Sequence, residues 1–136
     1  MAKLGRYSAD RKKIGAIAAA TTVEASQCGT IFMVTSNSYT ITMPSVADAG
    51  EGWWCKFIVG ADIATGQIVI DLAGSDTLAF AAAAAEDGGA VDVAGTAQIE
   101  LVHTKAKKGD QIEFICDGSQ WYVIGIATLD EGQASS

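Results

Sequence analysis

The feature that most constrains this chain is a two-residue alternation of apolar and polar side chains in short runs, each closed by a turn residue. Tyr39, Ile41 and Met43 alternate with Thr40 and Thr42 until Pro44 stops the run. Trp53, Cys55, Phe57 and Val59 alternate with Trp54, Lys56 and Ile58, and Gly60 ends the run. Ile68, Ile70 and Leu72 repeat the pattern, as do Ile99 with Leu101, and Ile112 with Phe114 and Cys116. Ile31 to Val34 and Trp121 to Ile126 are nearly continuous apolar runs. Side chains in a strand point alternately to opposite faces, so each run can bury one face. About seven or eight short strands without a long helical period predict an all-β fold, an antiparallel β-sandwich or β-barrel.

The clearest hairpin is the final one, where Asp117-Gly118-Ser119 separates two strand patterns. A two-residue loop would put Phe114 and Cys116 on one face with Trp121 and Val123. A three-residue loop would pair Phe114 with Tyr122, and the pattern leaves both registers open. Asp76 to Gly95 contains five consecutive alanines and then glycines, and reads as a long loop with at most one helical turn. Ile14 to Ala20 reads as an extended segment that gains order by docking. With 136 residues, the chain makes one domain that buries about two-thirds of its extended surface. The expected organisation is a basic arm with extended backbone over 1–20, a β domain over 21–128 and a flexible polar tail over 129–136.

Charge is split along the chain. Lys3, Arg6, Arg11, Lys12 and Lys13 face only Asp10, so the first thirteen residues carry +4 and the remainder −11 within a net −7. An acidic body repels phosphate, which argues against a nucleic-acid partner. The longest apolar runs fall far short of a membrane span, so no membrane partner is expected. The start lacks the apolar core of a secretory signal. Cys28, Cys55 and Cys116 lie among apolar residues without a CxxC spacing, and reduced, buried thiols made in a reducing cytoplasm are expected.

The residues offer little for catalysis. His103 is the only histidine, which removes two-histidine metal motifs, and no GxSxG elbow accompanies it. Glu100 and Glu113 fall on the polar parity of two strands expected to be neighbours, where a solvated sheet face accounts for them. No phosphate loop or EF-hand spacing is present. We therefore expect no enzyme, no cofactor and no metal. In each of the pairs Trp53-Trp54 and Trp121-Tyr122 one ring must point inward and the other outward. The outward rings suit a subunit interface or a sugar platform. The basic arm suits docking on an acidic partner. The candidate partner-binding residues are Lys3, Arg6, Arg11, Lys12, Lys13, Trp54 and Tyr122.

Four runs together carry a resemblance: Cys28-Gly-Thr-Ile-Phe-Met-Val, Tyr39-Thr-Ile-Thr-Met-Pro, Gly52-Trp-Trp-Cys-Lys-Phe-Ile-Val-Gly, and Gly109-Asp-Gln-Ile-Glu-Phe followed by Asp117-Gly-Ser-Gln-Trp-Tyr-Val-Ile-Gly. In this order they resemble small β-rich virion structural proteins of tailed bacteriophages, most of all head decoration (cement) proteins and more loosely tail-fibre modules. The resemblance spans about Thr21 to Ala127 and has no catalytic motif. It implies a β-sandwich or β-barrel unit, a homo-oligomer with a trimer favoured, made in the host cytoplasm. Such a unit sits on the outer capsid surface, binds the major capsid protein and bridges neighbouring subunits to stabilise the shell. A receptor- or carbohydrate-binding module of a tail fibre is the alternative it implies.

Overall fold

A computed structural model describes residues 11–84, 90–129 and 132–135. Its strands are β1 (Lys13–Ile17), β2 (Thr21–Thr22), β3 (Thr30–Val34), β4 (Tyr39–Thr42), β5 (Trp54–Val59), β6 (Ile68–Asp71), β7 (Leu78–Ala84), β8 (Ala90–Thr96), β9 (Gln98–Leu101), β10 (Gln111–Cys116), β11 (Trp121–Ala127) and β12 (Gln133–Ser135). A 3₁₀ turn at Ala25–Gln27 and one short helix, α1 (Val46–Ala49), complete the described elements. The Ser45 hydroxyl caps α1 by accepting the Asp48 N–H at 3.1 Å.

The strands form two open sheets, ordered β1-β3-β5-β10-β11-β7-β8 and β12-β9-β6-β4-β2. The all-β expectation is met, but its finer parts need correction. The described residues give seven strands and five rather than seven or eight in all, and neither sheet closes into a barrel. Nor is the architecture purely antiparallel: both sheets are mixed, with β1-β3, β3-β5 and β7-β11 parallel in one and β2-β4 and β4-β6 in the other, beside the antiparallel pairs β5-β10, β10-β11, β7-β8, β6-β9 and β9-β12. The cause is the wiring. Parallel neighbours need a crossover, and from β1 to β6 each crossover is itself a strand of the opposite sheet, whereas β7 reaches β11 through β8, β9 and β10. From β1 to β6 the chain coils between the two sheets, laying each turn beside the last. Period-two patterning reports which face a strand buries and is blind to this choice of neighbour.

The inner faces share one core. Cys55, Phe57 and Val59 of β5, Ile112 and Phe114 of β10, and Trp121 and Val123 of β11 meet Ile41, Ile68, Ile70, Ile99 and Leu101 of the smaller sheet. A string of aromatic contacts runs through it. Phe32 stacks on Phe57 at 5.4 Å, Phe57 meets Phe114 edge-on at 5.6 Å, and Phe114 meets Trp121 at 6.0 Å. Trp53 closes on Trp121 at 5.4 Å and donates its indole N–H to the Ala25 carbonyl at 2.8 Å.

The last hairpin settles the open register. Cys116 pairs with Trp121 and Phe114 with Val123, so their side chains share the buried face. Asp117 closes the turn by accepting the Ser119 and Gln120 N–H groups at 2.7 and 2.8 Å. Those two bonds hold its carboxyl below the usual carboxylate range. Gly118, at φ 93°, supplies the left-handed position.

Three local expectations are overturned. The alanine run is strand, not loop, up to Ala84: β7 is paired by β11 on one side and β8 on the other, and Leu78 and Phe80 anchor it in the core. Two ladders and two buried anchors outweigh alanine's helix preference. The centre of the expected loop, residues 85–89, lies outside the described residues. The tail is not frayed throughout, because β12 pairs with β9. Buried Gln133 donates its carboxamide N–H groups to the Gln111 and Ile126 carbonyls, each at 3.0 Å, linking the two sheets. Glu100 and Glu113 are not on neighbouring strands, since β9 and β10 belong to different sheets.

Gly125 makes room for that link. A Cβ at this position would collide with the Gln133 carboxamide and lie 3.2 Å from Phe80. Gly125→Ala is expected to displace Gln133, lose its two bonds and cost about 1–3 kcal/mol. Urea unfolding checks this, and a double-mutant cycle with Gln133→Ala should show strong non-additivity.

Candidate interaction surface

The alternation that fills the core also fixes what the seven-stranded sheet turns outward. Its middle row, read across the ladder, is Ile14, Ile31, Lys56, Glu113, Ile124 and Ala81, of which Ile31 is itself buried. The row at one end runs Trp54, Ile115, Tyr122 and Ala79. At the other end Ile58 and Ile126 flank Gln111. Apart from Lys56, Glu113 and Gln111, these side chains are apolar or aromatic. Exposure is large at Ile14 (62%), Ile126 (61%), Ile124 (56%) and Tyr122 (45%). Contiguous apolar patches of this kind on a soluble body mark interaction surfaces.

The smaller sheet provides the contrast. Its outward parity carries Thr40, Thr42, Val69, Asp71, Gln98 and Glu100. That is the mixed polar face expected of a sheet turned to water. The body therefore has one polar side and one apolar side.

The outward face has relief. Beside Tyr122 and Ile124, the small side chains of Ala79 and Ala81 leave an apolar depression of about 210 Å³. A second depression, about 120 Å³, lies between Lys56, Glu113, Gln111, Ile124 and Ile126. Both are shallow and open, unlike an enclosed small-molecule site.

Of the sequence-derived candidates, the structure brings Trp54 and Tyr122 together. They flank Ile115 in one row, as the parity argument required, with Trp53 and Trp121 buried beneath. Trp54 is half-buried, its indole lying 3.8 Å from where a Cβ on Gly29 would sit. Arg11, Lys12 and Lys13 are exposed where the chain enters β1, at the edge of the same sheet. Lys3 and Arg6 lie outside the described residues. Sequence reasoning missed Ile14, Ile115, Ile124 and Ile126. Their signal was present: in β10 and β11 both parities are apolar, so one set had to face outward.

Other candidates disperse. His103 is exposed in a turn. Cys28 is exposed, correcting the expectation that all three thiols are buried, because it precedes β3 rather than lying in it. Cys55 and Cys116 are buried and free, and burial raises both thiols. They stay protonated and weakly nucleophilic at neutral pH. Among the described residues no group of three or more His, Cys, Asp and Glu side chains could hold a metal ion. No described helix is long and apolar enough to cross a membrane.

The far end of β1 is tied to the body by a phenol, in addition to the β1-β3 ladder. The Tyr39 hydroxyl donates to the Thr35 carbonyl at 2.6 Å and approaches the carbonyl of Ile17, the last residue of β1, at 3.1 Å. Ile17 also accepts the Thr35 N–H at 2.9 Å. Burial pushes the Tyr39 phenol from 10.0 up to about 12. No protein-family model and no curated protein matches this chain.

A folded-state value above the unfolded one means Tyr39 stabilises fully below pH 10 and loses that contribution as pH rises through about 12. The urea midpoint should therefore fall more between pH 9 and pH 12 in the wild type than in Tyr39→Phe. Equal slopes would show that Tyr39 does not govern alkaline stability. At neutral pH, Tyr39→Phe should speed amide exchange in β1 while leaving β10 and β11 protected.

Proposed function

We propose that this chain is a structural virion protein that binds the outer surface of a phage capsid, contacts the major capsid protein and bridges neighbouring subunits, with no catalysis. The proposal takes the chain to work as a homo-oligomer and to reach the capsid after synthesis in the host cytoplasm. The observation that carries the reading is the separation of charge. The first thirteen residues bear +4 and the rest −11, and the basic end of β1 lies at a sheet edge. An acidic body with a cationic leader orients on an acidic shell, leader first. Further support comes from the four residue runs resembling decoration proteins. Several modest contacts held by one oligomer give retention that no single contact would.

The alternative is a receptor- or carbohydrate-binding module of a tail fibre. Trp54 and Tyr122, presented in one outward row, support it because aromatic faces stack on sugars. Saturable glycan binding lost in Tyr122→Ala, with no affinity for shells, would favour this alternative.

Replacing Lys3, Arg6, Arg11 and Lys12 by Gln tests the primary reading. Occupancy on expanded capsids lacking the protein should drop at least about tenfold at low salt. The heat resistance the protein adds to those capsids should fall with it. The melting temperature of the isolated variant, measured alongside, separates lost docking from lost folding. Unchanged occupancy would remove the electrostatic basis of the proposal.

A further inference from the structure

We propose that the outward face of the seven-stranded sheet is a homotypic interface, on which a second copy of this chain stacks face to face about a two-fold axis. The axis runs along the strands between β5 and β10. This inference is independent of any shell, because it concerns the chain's fit to itself.

Three observations on the face support a second copy as its occupant. The first is charge. Lys56 and Glu113 are direct cross-strand neighbours near the middle of the apolar field, and they form no ion pair with each other among the described residues. A two-fold axis between their strands lays Lys56 of one copy over Glu113 of the other, twice. Two-fold interfaces require this reciprocity, in which residue i meets j and j meets i. A patch bearing one sign of charge would lack it.

The second is shape. Counting outward from the axis, β3 falls opposite the partner copy's β11, and β1 opposite its β7. In the shared middle row Ile14 is then set over Ala81. Ile14 is the most exposed large apolar side chain described, at 62%. Ala81 lines the 210 Å³ apolar depression beside Tyr122 and Ile124. The projection and the recess stand at equal distances from the axis, on opposite sides of it. The same operation sets Trp54 over Ile115.

The third is extent. Six strands at roughly 4.8 Å spacing, and about 17 Å along each, project to on the order of 500 Å². Side-chain relief brings the accessible area toward about 800 Å², one partner's share of a standard interface. Face-to-face sheets stack with a spacing near 10 Å, and an axis parallel to the strands keeps the facing strands aligned, so the rows stay opposed on both sides of the charged pair.

The experiment measures the mass of the full chain by sedimentation equilibrium and native mass spectrometry at about 50 µM, where a Kd near 1 µM leaves few monomers. The expected species has twice the 14.0 kDa chain mass. Lys56→Glu alone and Glu113→Lys alone each face like with like, and should raise the dimer Kd at least about thirtyfold. Circular dichroism of each variant should stay native-like, because both positions lie on the outward face. Mixing the two variants restores opposite charges at both crossings and should recover a mixed dimer with near wild-type affinity. A wild-type monomer would overturn the proposal and leave the face to another partner. A trimer, or failure of the mixture to pair, would overturn the two-fold arrangement. Shell binding is not measured, so its success or failure leaves this result untouched.

Discussion

The structure depends on one constraint: two sheets must bury their inner faces against each other around a line of aromatic rings. Phe32, Phe57, Phe114, Trp121 and Trp53 touch in succession, and the isoleucines of the smaller sheet close over them. Fixing that parity leaves no freedom on the other side. Once Phe114, Cys116, Trp121 and Val123 point inward, Ile115, Tyr122, Ile124 and Ile126 must point out. The exposed apolar field is thus the unavoidable other half of strands in which nearly every position is apolar. Single exposed hydrophobics are ordinary, whereas a field spread across adjacent strands is a candidate interaction surface.

Much of the burial was legible in the residues. The alternations around Phe57, Ile70 and Phe114 correctly named the inward side chains, and adjacent aromatics split inward and outward as strand geometry demands. Neighbour identity was not legible, because a strand's pattern is the same whether its partner is the next strand or one a coil away. That is why an antiparallel arrangement was expected where the chain winds in parallel. The alanine run misled for a different reason. Its strand conformation comes from β11 and β8 on either side, information that lies more than a local window away. Gln133 misled too, since a polar residue near a terminus gives no sign that its amide reaches the Gln111 and Ile126 carbonyls of the other sheet. For the candidate surface, Trp54 and Tyr122 could be named in advance, while the isoleucines beside them lie in runs whose two faces are both apolar, and the pattern left open which face is core.

The same body holds two different kinds of adhesive chemistry, and they lie close together. The apolar field occupies the face of the larger sheet, and the exposed bases Arg11, Lys12 and Lys13 enter along its β1 edge. Tyr39 ties the Ile17 end of β1 to the turn after β3, and the β1-β3 ladder runs from there back to Lys13 at the basic entry. Charge acts over about 8 Å at physiological ionic strength, and apolar burial acts only at contact. A surface combining the two can first orient and then close on what it binds.

The coiled wiring also has a consequence for how the chain acquires its structure during synthesis. Parallel pairs β1-β3, β3-β5, β2-β4 and β4-β6 all join segments within the first half of the chain, so successive coils can add to one another as they emerge from the ribosome. β5 and β7 are different: their partners β10 and β11 are among the last strands made. Until those arrive, β5 has only β3 beside it and β7 only β8, and each leaves one edge of its ladder open. The nascent chain is therefore most vulnerable to sticking to other chains late, just before β10 and β11 complete the larger sheet.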